Sequence, residues 1–140
     1  MKDSYLPFKI DGTAYAVPVE YVFSVLSASE DFPSCVPPGL PAYVKRVILT
    51  EGNLVPVIEW NQIAQVDAQN ETNPRIMLVI LHYKNRMLGV LADCVAAPFT
   101  LAEPKLESDA TKTYTLLLYE DANYILFDLP KFFQNRGDTK

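Results

Sequence analysis

Glycine is scarce in this chain, 5 among 140 residues, and histidine occurs once. No G-x-x-x-x-G-K-[ST] or G-x-G-x-x-G loop can be found, so backbone cradling of phosphate has no support. A G-x-S-x-G nucleophile elbow is missing as well. The two cysteines, Cys35 and Cys94, stand far apart, and with one His they lack the spacing of a zinc site. Positive charge is also short: 12 Lys and Arg against 17 Asp and Glu give a net charge of −5. No basic cluster exceeds Lys45-Arg46, which argues against nucleic acid and against an anionic membrane surface. The longest apolar run, Ile76–Leu81, is far below the ~20 residues of a spanning helix, so direct membrane insertion is not expected. The start, Met1-Lys2-Asp3-Ser4-Tyr5, lacks the apolar stretch of a signal peptide. These absences together predict a cytoplasmic protein with reduced thiols that serve as small core residues.

What the chain does have is strand signal. Tyr5–Ile10 alternates, Asp11-Gly12 marks a tight turn, and Thr13–Val17 alternates again, the strongest short-range hairpin pattern. Pro18 then introduces Val19, Val22, Phe23 and Leu26 at helical spacing, which predicts a short helix. Five prolines and glycines between Ser27 and Pro41 predict a loop. Strands are expected over Tyr43–Leu49 and Leu54–Glu59 around the turn Glu51-Gly52-Asn53, with a short helix over Trp60–Gln65. After a polar connector, Val66–Pro74, strands follow over Arg75–His82, Arg86–Ala92 and Val95–Leu101. A polar loop, Ala102–Lys112, precedes a last hairpin, Tyr114–Tyr119 and Asn123–Asp128, then a helical turn from Leu129 and a frayed tail at 136–140.

The pattern repeats. Gly52–Ala64 sets beside Asp121–Phe133 without a gap, at an offset of 69, and Tyr15–Val22 beside Leu88–Val95 at an offset of 73. Four or five short strands per half predict an all-β chain with short helices, folded as two packed small barrels. The halves are approximately 1–66 and 75–135 of one 1–140 domain, with exchange of strands between them allowed.

Catalysis finds no constellation. His82 ends an apolar strand and reads as packed or solvent-tipped rather than as a base for Cys94. Glu59, Asp93 and Asp128 at strand ends read as turn or capping residues, although a carboxylate pair is the catalytic alternative. A ligand-sensing barrel would use Tyr15, Tyr43 and Trp60 as its lining.

The order of motifs resembles the CheW-like domain family. Phe8-Lys9-Ile10-Asp11-Gly12 with Tyr15-Ala16-Val17-Pro18 and Val22 is similar to the family's opening. Pro41–Lys45, Val47-Ile48 and Gly52–Glu59 resemble its central segment, Leu88–Val95 its G-[LI]-[LIV]-V-D-x-V strand, and Ile125–Phe132 its close. The resemblance implies two packed SH3-like five-stranded barrels without enzyme activity, cofactor or metal. It also implies an adaptor, or scaffold, of bacterial chemosensory signal transduction. Its partners would be the regulatory domain of a CheA-type histidine kinase and the cytoplasmic tip of a methyl-accepting chemoreceptor. The same module in another pathway, such as twitching motility, is the alternative. Partner-binding positions implied by the family pattern are Val22, Ser24, Arg46 and Glu51. Ser24 stands where the family commonly has an acidic residue, Arg46 where it has Gly, and Glu51 where it has a receptor-facing Arg. The last departure reverses a charge.

Overall fold

A computed structural model describes residues 3–27, 32–36, 38–39, 44–58, 76–108 and 115–136. The hairpin turns set the register of the strands that flank them. Asp11 and Gly12 both adopt left-handed backbone, φ 53° and 83°, and so do Glu51 and Gly52, at 54° and 80°. Two consecutive left-handed residues match the right-handed twist of the flanking strands, so each pair closes a two-residue hairpin. The first joins β1 (Asp3–Ile10) to β2 (Thr13–Pro18), and the second joins β5 (Val44–Thr50) to β6 (Asn53–Ile58). A third hairpin pairs β7 (Met77–Tyr83) with β8 (Arg86–Ala92), and a fourth pairs β12 (Thr115–Tyr119) with β13 (Ala122–Leu126). Shorter strands are β3 (Val22–Ser27), β4 (Ser34–Cys35), β9 (Cys94–Val95), β10 (Phe99–Leu101) and β11 (Lys105–Ser108). The chain closes on α1 (Leu129–Arg136), where Phe132 N–H donates to Asp128 O at 3.0 Å and places Asp128 at the cap position.

The strands form two sheets, ordered β10-β1-β2-β13-β12-β11, with β9 also on β1, and β3-β7-β8-β6-β5-β4. Each is antiparallel except at one parallel pairing, β13 with β2 and β6 with β8. Sheet membership cuts across the chain: the first hairpin sits with β9–β13, while β3–β6 sit with the third hairpin. The repeat offsets of 69 and 73 carry Val57 onto Leu126 and Ala16 onto Gly89. Val57↔Gly89 and Leu126↔Ala16 are register pairs at the two parallel seams. The sequence repeat is therefore a repeat of pairing.

Both sheets curl. Phe99 on β10 stacks on Tyr119 of β12 with ring centroids 4.0 Å apart, although three strands separate β10 from β12. Tyr5, Ala16, Phe99 and Leu117 fill that interior, and Ile48, Val55, Val57, Leu78 and Ile80 fill the interior of the other sheet. These are the two SH3-like subdomains, all-β as expected. Between them lies a third and larger core, with Phe8, Ile10, Tyr15 and Val17 from one sheet and Val79, Leu81, Leu88 and Val90 from the other. Leu129, Phe132 and Phe133 of α1 join it. Strands β7 and β8 consequently bury both faces, which is why Leu78–Leu81 is a continuous apolar run rather than an alternating one.

Five expectations are corrected. The expected loop over Ser27–Pro41 contains β4 (Ser34–Cys35), a two-residue edge strand paired with β5. The helix over Val19–Leu26 is a single 3-10 turn, Val19–Tyr21, followed by β3. A β-bulge between Val22 and Ser24 inserts Phe23, so Val22 and Val25 face the shared core while Leu26 faces the second interior. That shift, with burial on both sides, mimics helical spacing. The polar loop after Leu101 contains β11, an exposed edge strand with Leu106 as its lone apolar residue, too polar to alternate. Val95–Leu101 is split into β9 and β10, and Ala96 N–H donates to Pro7 O (3.0 Å) in the gap. Cys35 and Cys94 are free thiols, as expected, but exposed rather than in the core. The expected helix over Trp60–Gln65, the connector Val66–Pro74, residues 109–112 of the expected loop and the tail beyond 136 lie outside the described residues.

Candidate protein-docking surface

The β5–β6 hairpin presents an apolar exposed surface assembled from paired strands. Ile48, Val55 and Val57 turn into the second interior, so the intervening positions must face out. These are Val47 opposite Pro56 and Leu49 opposite Leu54, two cross-strand pairs with no polar residue between them. Leu54 is 70% exposed and Leu49 43%. The strip continues onto β4, where Cys35 pairs with Val47, and to Val36, 71% exposed. Leu49 N–H donates to Pro33 O at 2.9 Å, fixing the chain before β4 against β5. Isolated exposed apolar residues need no explanation, but a contiguous strip over three strands marks an interaction surface.

Charged residues lie near both ends of β5, although Arg46, in register with Val57, is on the face opposite the strip. Lys45 and Arg46 are exposed where β5 begins, beside a β-bulge between Val44 and Arg46. Glu51 is exposed at the hairpin tip, and Asn53 Nδ2 donates to its backbone O at 3.1 Å. Nothing lies within 4 Å of the Cβ position at Gly52, so its left-handed φ alone restricts that residue. Gly52→Ala is therefore expected to destabilise by about 1–2 kcal/mol through backbone conformation only. Chemical denaturation measures it; a loss near zero would mean that the turn had changed type.

The other two expected contact residues lie elsewhere. Val22 and Ser24 are on β3, an edge of the second sheet, with β7, β8 and β6 between them and Arg46 and Glu51. Val22 is half-buried and packs on the shared core opposite Leu81. Ser24 pairs with Ile80 of the second interior, and its Oγ is buried without a hydrogen-bond partner. The bulged residue between them, Phe23, is 43% exposed and meets the His82 ring edge-on at 5.8 Å. Phe23 is the side chain that β3 offers to solvent. Sequence reasoning missed it, and missed the Leu49–Leu54 pair, because an apolar run such as Val47-Ile48-Leu49 reads as core on both faces.

The catalytic and ligand-binding alternatives fare differently. His82 is in the second sheet and Cys94 in the first. Asp93 holds structure: its N–H donates to Lys9 O at 2.7 Å and its Oδ2 accepts from Gly12 N–H at 3.2 Å, tying the first hairpin turn to the β8–β9 link. Tyr15 stacks on Phe8 within the shared core, 1% exposed, and lines no barrel mouth. Tyr43, Glu59 and Trp60 lie outside the described residues. Among the described residues no cluster of three or more His, Cys, Asp or Glu could hold a metal ion, and no helix is long and apolar enough to cross a membrane.

Tyrosines seal the ends of the cores. Tyr21 meets Tyr83 edge-on at 5.8 Å, Tyr83 stacks on Phe133, and the Arg86 guanidinium lies 4.3 Å above the Phe133 ring. Burial raises the Tyr21 hydroxyl above its ordinary value of 10.0, aided by Glu20, Tyr83 and Asp128. Burial, with Asp3, raises Tyr5 in the same direction. A raised pKa means that the folded state holds these protons more tightly than the unfolded chain. The contribution is complete below pH ~10 and is lost as pH climbs through the raised values. The midpoint of thermal unfolding is expected to fall above pH ~10, less steeply in Tyr21→Phe. An identical alkaline slope in parent and variant would contradict this.

Comparison with known proteins follows this geometry closely. A family model described as CheW-like domain matches residues 4–135. Among solved structures, the chain is similar to the scaffolding protein TtCheW from Thermoanaerobacter tengcongensis, with a TM-score of 0.78 at 17% sequence identity. The alignment covers 100% of this chain and 98% of that one. No significant match is found among curated proteins.

Proposed function

The chain belongs to the CheW-like domain family, and from that premise we propose that it is a noncatalytic adaptor of bacterial chemosensory signalling, acting in the cytoplasm. The partners in this reading are the regulatory domain of a CheA-type histidine kinase and the cytoplasmic tip of a methyl-accepting chemoreceptor. One observation carries the reading beyond family membership: the outward apolar strip Val47, Leu49, Leu54 and Pro56 runs to the exposed Glu51 at the hairpin tip. Such a surface binds by excluding water over its centre, while the charge at its end chooses the partner.

Charge selects among receptors in this reading. Glu51 at the tip favours a receptor segment with a basic residue where the usual partner is acidic. The test is co-sedimentation with receptor-tip fragments from the same cell, in acidic and basic forms at the facing position. The parent protein is expected to prefer the basic form by about tenfold and Glu51→Arg to reverse that preference. Equal retention of both forms by both proteins would remove Glu51 from the contact.

A further inference from the structure

Equivalent strand positions do the same packing work in the two barrels with different side chains. The repeat offset of 69 sets Tyr119 on Thr50 and Tyr124 on Val55, and the offset of 73 sets Tyr5 on Leu78 and Phe99 on Leu26. The registers agree: Tyr5↔Phe99 matches Leu78↔Leu26, and Tyr119↔Ala122 matches Thr50↔Asn53. The second barrel fills these places with aliphatic residues and a threonine, the first with a phenylalanine and tyrosines. Packing alone therefore does not call for tyrosine here, and the ring faces and hydroxyls have another use.

These rings gather at one end of the first barrel. Leu101, opposite Asp3, ends β10, and Lys105, opposite Leu118, begins β11, so the short link between them brings the start of β1 beside the end of β12. Phe99 centres the cluster. Tyr119 stacks on it at 4.0 Å and 3°, Tyr124 lies 5.4 Å away and Tyr5 5.9 Å. Tyr119 is half-buried, and since Phe99 covers one face of its ring, the exposure belongs to the other face and the edge. Acidic side chains surround this end. Glu120 follows Tyr119 at the hairpin tip, Asp3 shares a face of β1 with Tyr5, and Glu103 lies in the link, all exposed. The Glu120 carboxylate accepts from the Tyr119 hydroxyl, and its charge raises that hydroxyl above 10.0. Lys105 faces away from the interior that Leu117 fills, because it pairs opposite Leu118.

We propose that this rim is a binding site for an organic cation, a guanidinium or alkylammonium group held over the Tyr119 ring with Glu120 as its counter-charge. A cation is attracted to the electron-rich face of a tyrosine, and a phenol that donates to a carboxylate is polarised toward a richer face. The same contact occurs within the chain, with the Arg86 guanidinium 4.3 Å over Phe133 and Lys84 Nζ 5.2 Å over Tyr83. The net charge of −5 favours the approach of a cation. The site is built from the first sheet alone, whereas Val22, Ser24, Arg46 and Glu51 belong to the second, so the inference does not depend on the adaptor reading.

Aromatic proton–carbon NMR of the full chain tests this. N-acetyl-arginine amide and tetramethylammonium are each titrated to about 20 mM beside their neutral counterparts, N-acetyl-citrulline amide and neopentyl alcohol. Saturable shifts of the Tyr119 and Tyr124 ring signals are expected from a cation, with a dissociation constant of about 1–10 mM, and not from the neutral molecules. Saturation by the arginine derivative alone identifies a protein side chain as the source of the cation, and saturation by tetramethylammonium alone a small quaternary ammonium compound. Tyr119→Leu is expected to weaken binding at least about tenfold. Glu120→Gln, at an exposed turn position, is expected to weaken it about threefold, a difference that disappears near about 1 M salt. The Leu117 methyl signals report that the barrel is intact. No saturable shift with either cation overturns the proposal, as do equal shifts with a neutral counterpart or an unchanged affinity in Tyr119→Leu.

Discussion

Phe8→Ala is expected to lower the unfolding free energy by about 3–5 kcal/mol. The Phe8 ring is 2% exposed, stacks on Tyr15 at 5.7 Å and sits in the core shared by both sheets. Its removal leaves a cavity against side chains from β2, β7, β8 and α1 that are themselves held in register, so collapse around the gap is limited. Against the 5–15 kcal/mol that holds a typical domain, this is a large fraction. Because the core is common to the two subdomains, the loss should appear as one cooperative transition shifted to lower denaturant. Denaturation followed by far-ultraviolet dichroism and by fluorescence measures it. A loss under about 1 kcal/mol, or two separated transitions, would contradict a shared core.

Gly89→Val is expected to destabilise by about 1–3 kcal/mol or more, for the opposite reason. A Cβ at Gly89 would stand 3.3 Å from Val57 Cγ2, 3.4 Å from Leu78 Cδ1 and 3.4 Å from Val55 Cγ1. Its φ does not lie in the left-handed region, so the backbone tolerates a side chain and the whole effect is overpacking at the parallel seam between β6 and β8. Gly89→Ala, which adds the Cβ alone, should be clearly milder, under about 1.5 kcal/mol. Ala16 at the equivalent seam shows that one carbon can be accommodated there. Equal losses for Ala and Val would point to backbone strain and contradict this account.

Much of the fold is legible in the sequence because turns punctuate it. Asp11-Gly12 and Glu51-Gly52 announce their hairpins, and Arg86–Ala92 has the bounds of β8. The short range of those signals explains what is not legible. Nothing local tells β2 to pair with β13 or β6 with β8, since both parallel seams join segments remote in the chain. The bulge at Phe23 hides β3 by breaking the period of two, and β11 hides because an exposed polar edge strand has no period at all. The candidate surface is legible in part. Arg46 and Glu51 stand out against the family pattern and lie at the two ends of β5. The outward Leu49–Leu54 pair between them requires the register, because only cross-strand pairing shows that those two residues share a face, and that Arg46, opposite Val57, does not.

The central claim is that this chain works by docking, and calorimetry with the CheW-like regulatory domain of a CheA kinase from the same cell tests it most directly. Titrations at low and physiological salt should give a dissociation constant in the micromolar range or below, about 8 kcal/mol of binding free energy. Weakening is expected with Val22→Ala, and a further change with Glu51→Arg if the tip contributes to the same contact. No heat and no complex at high concentration, with the fold intact by circular dichroism, would contradict the claim that this protein couples a kinase.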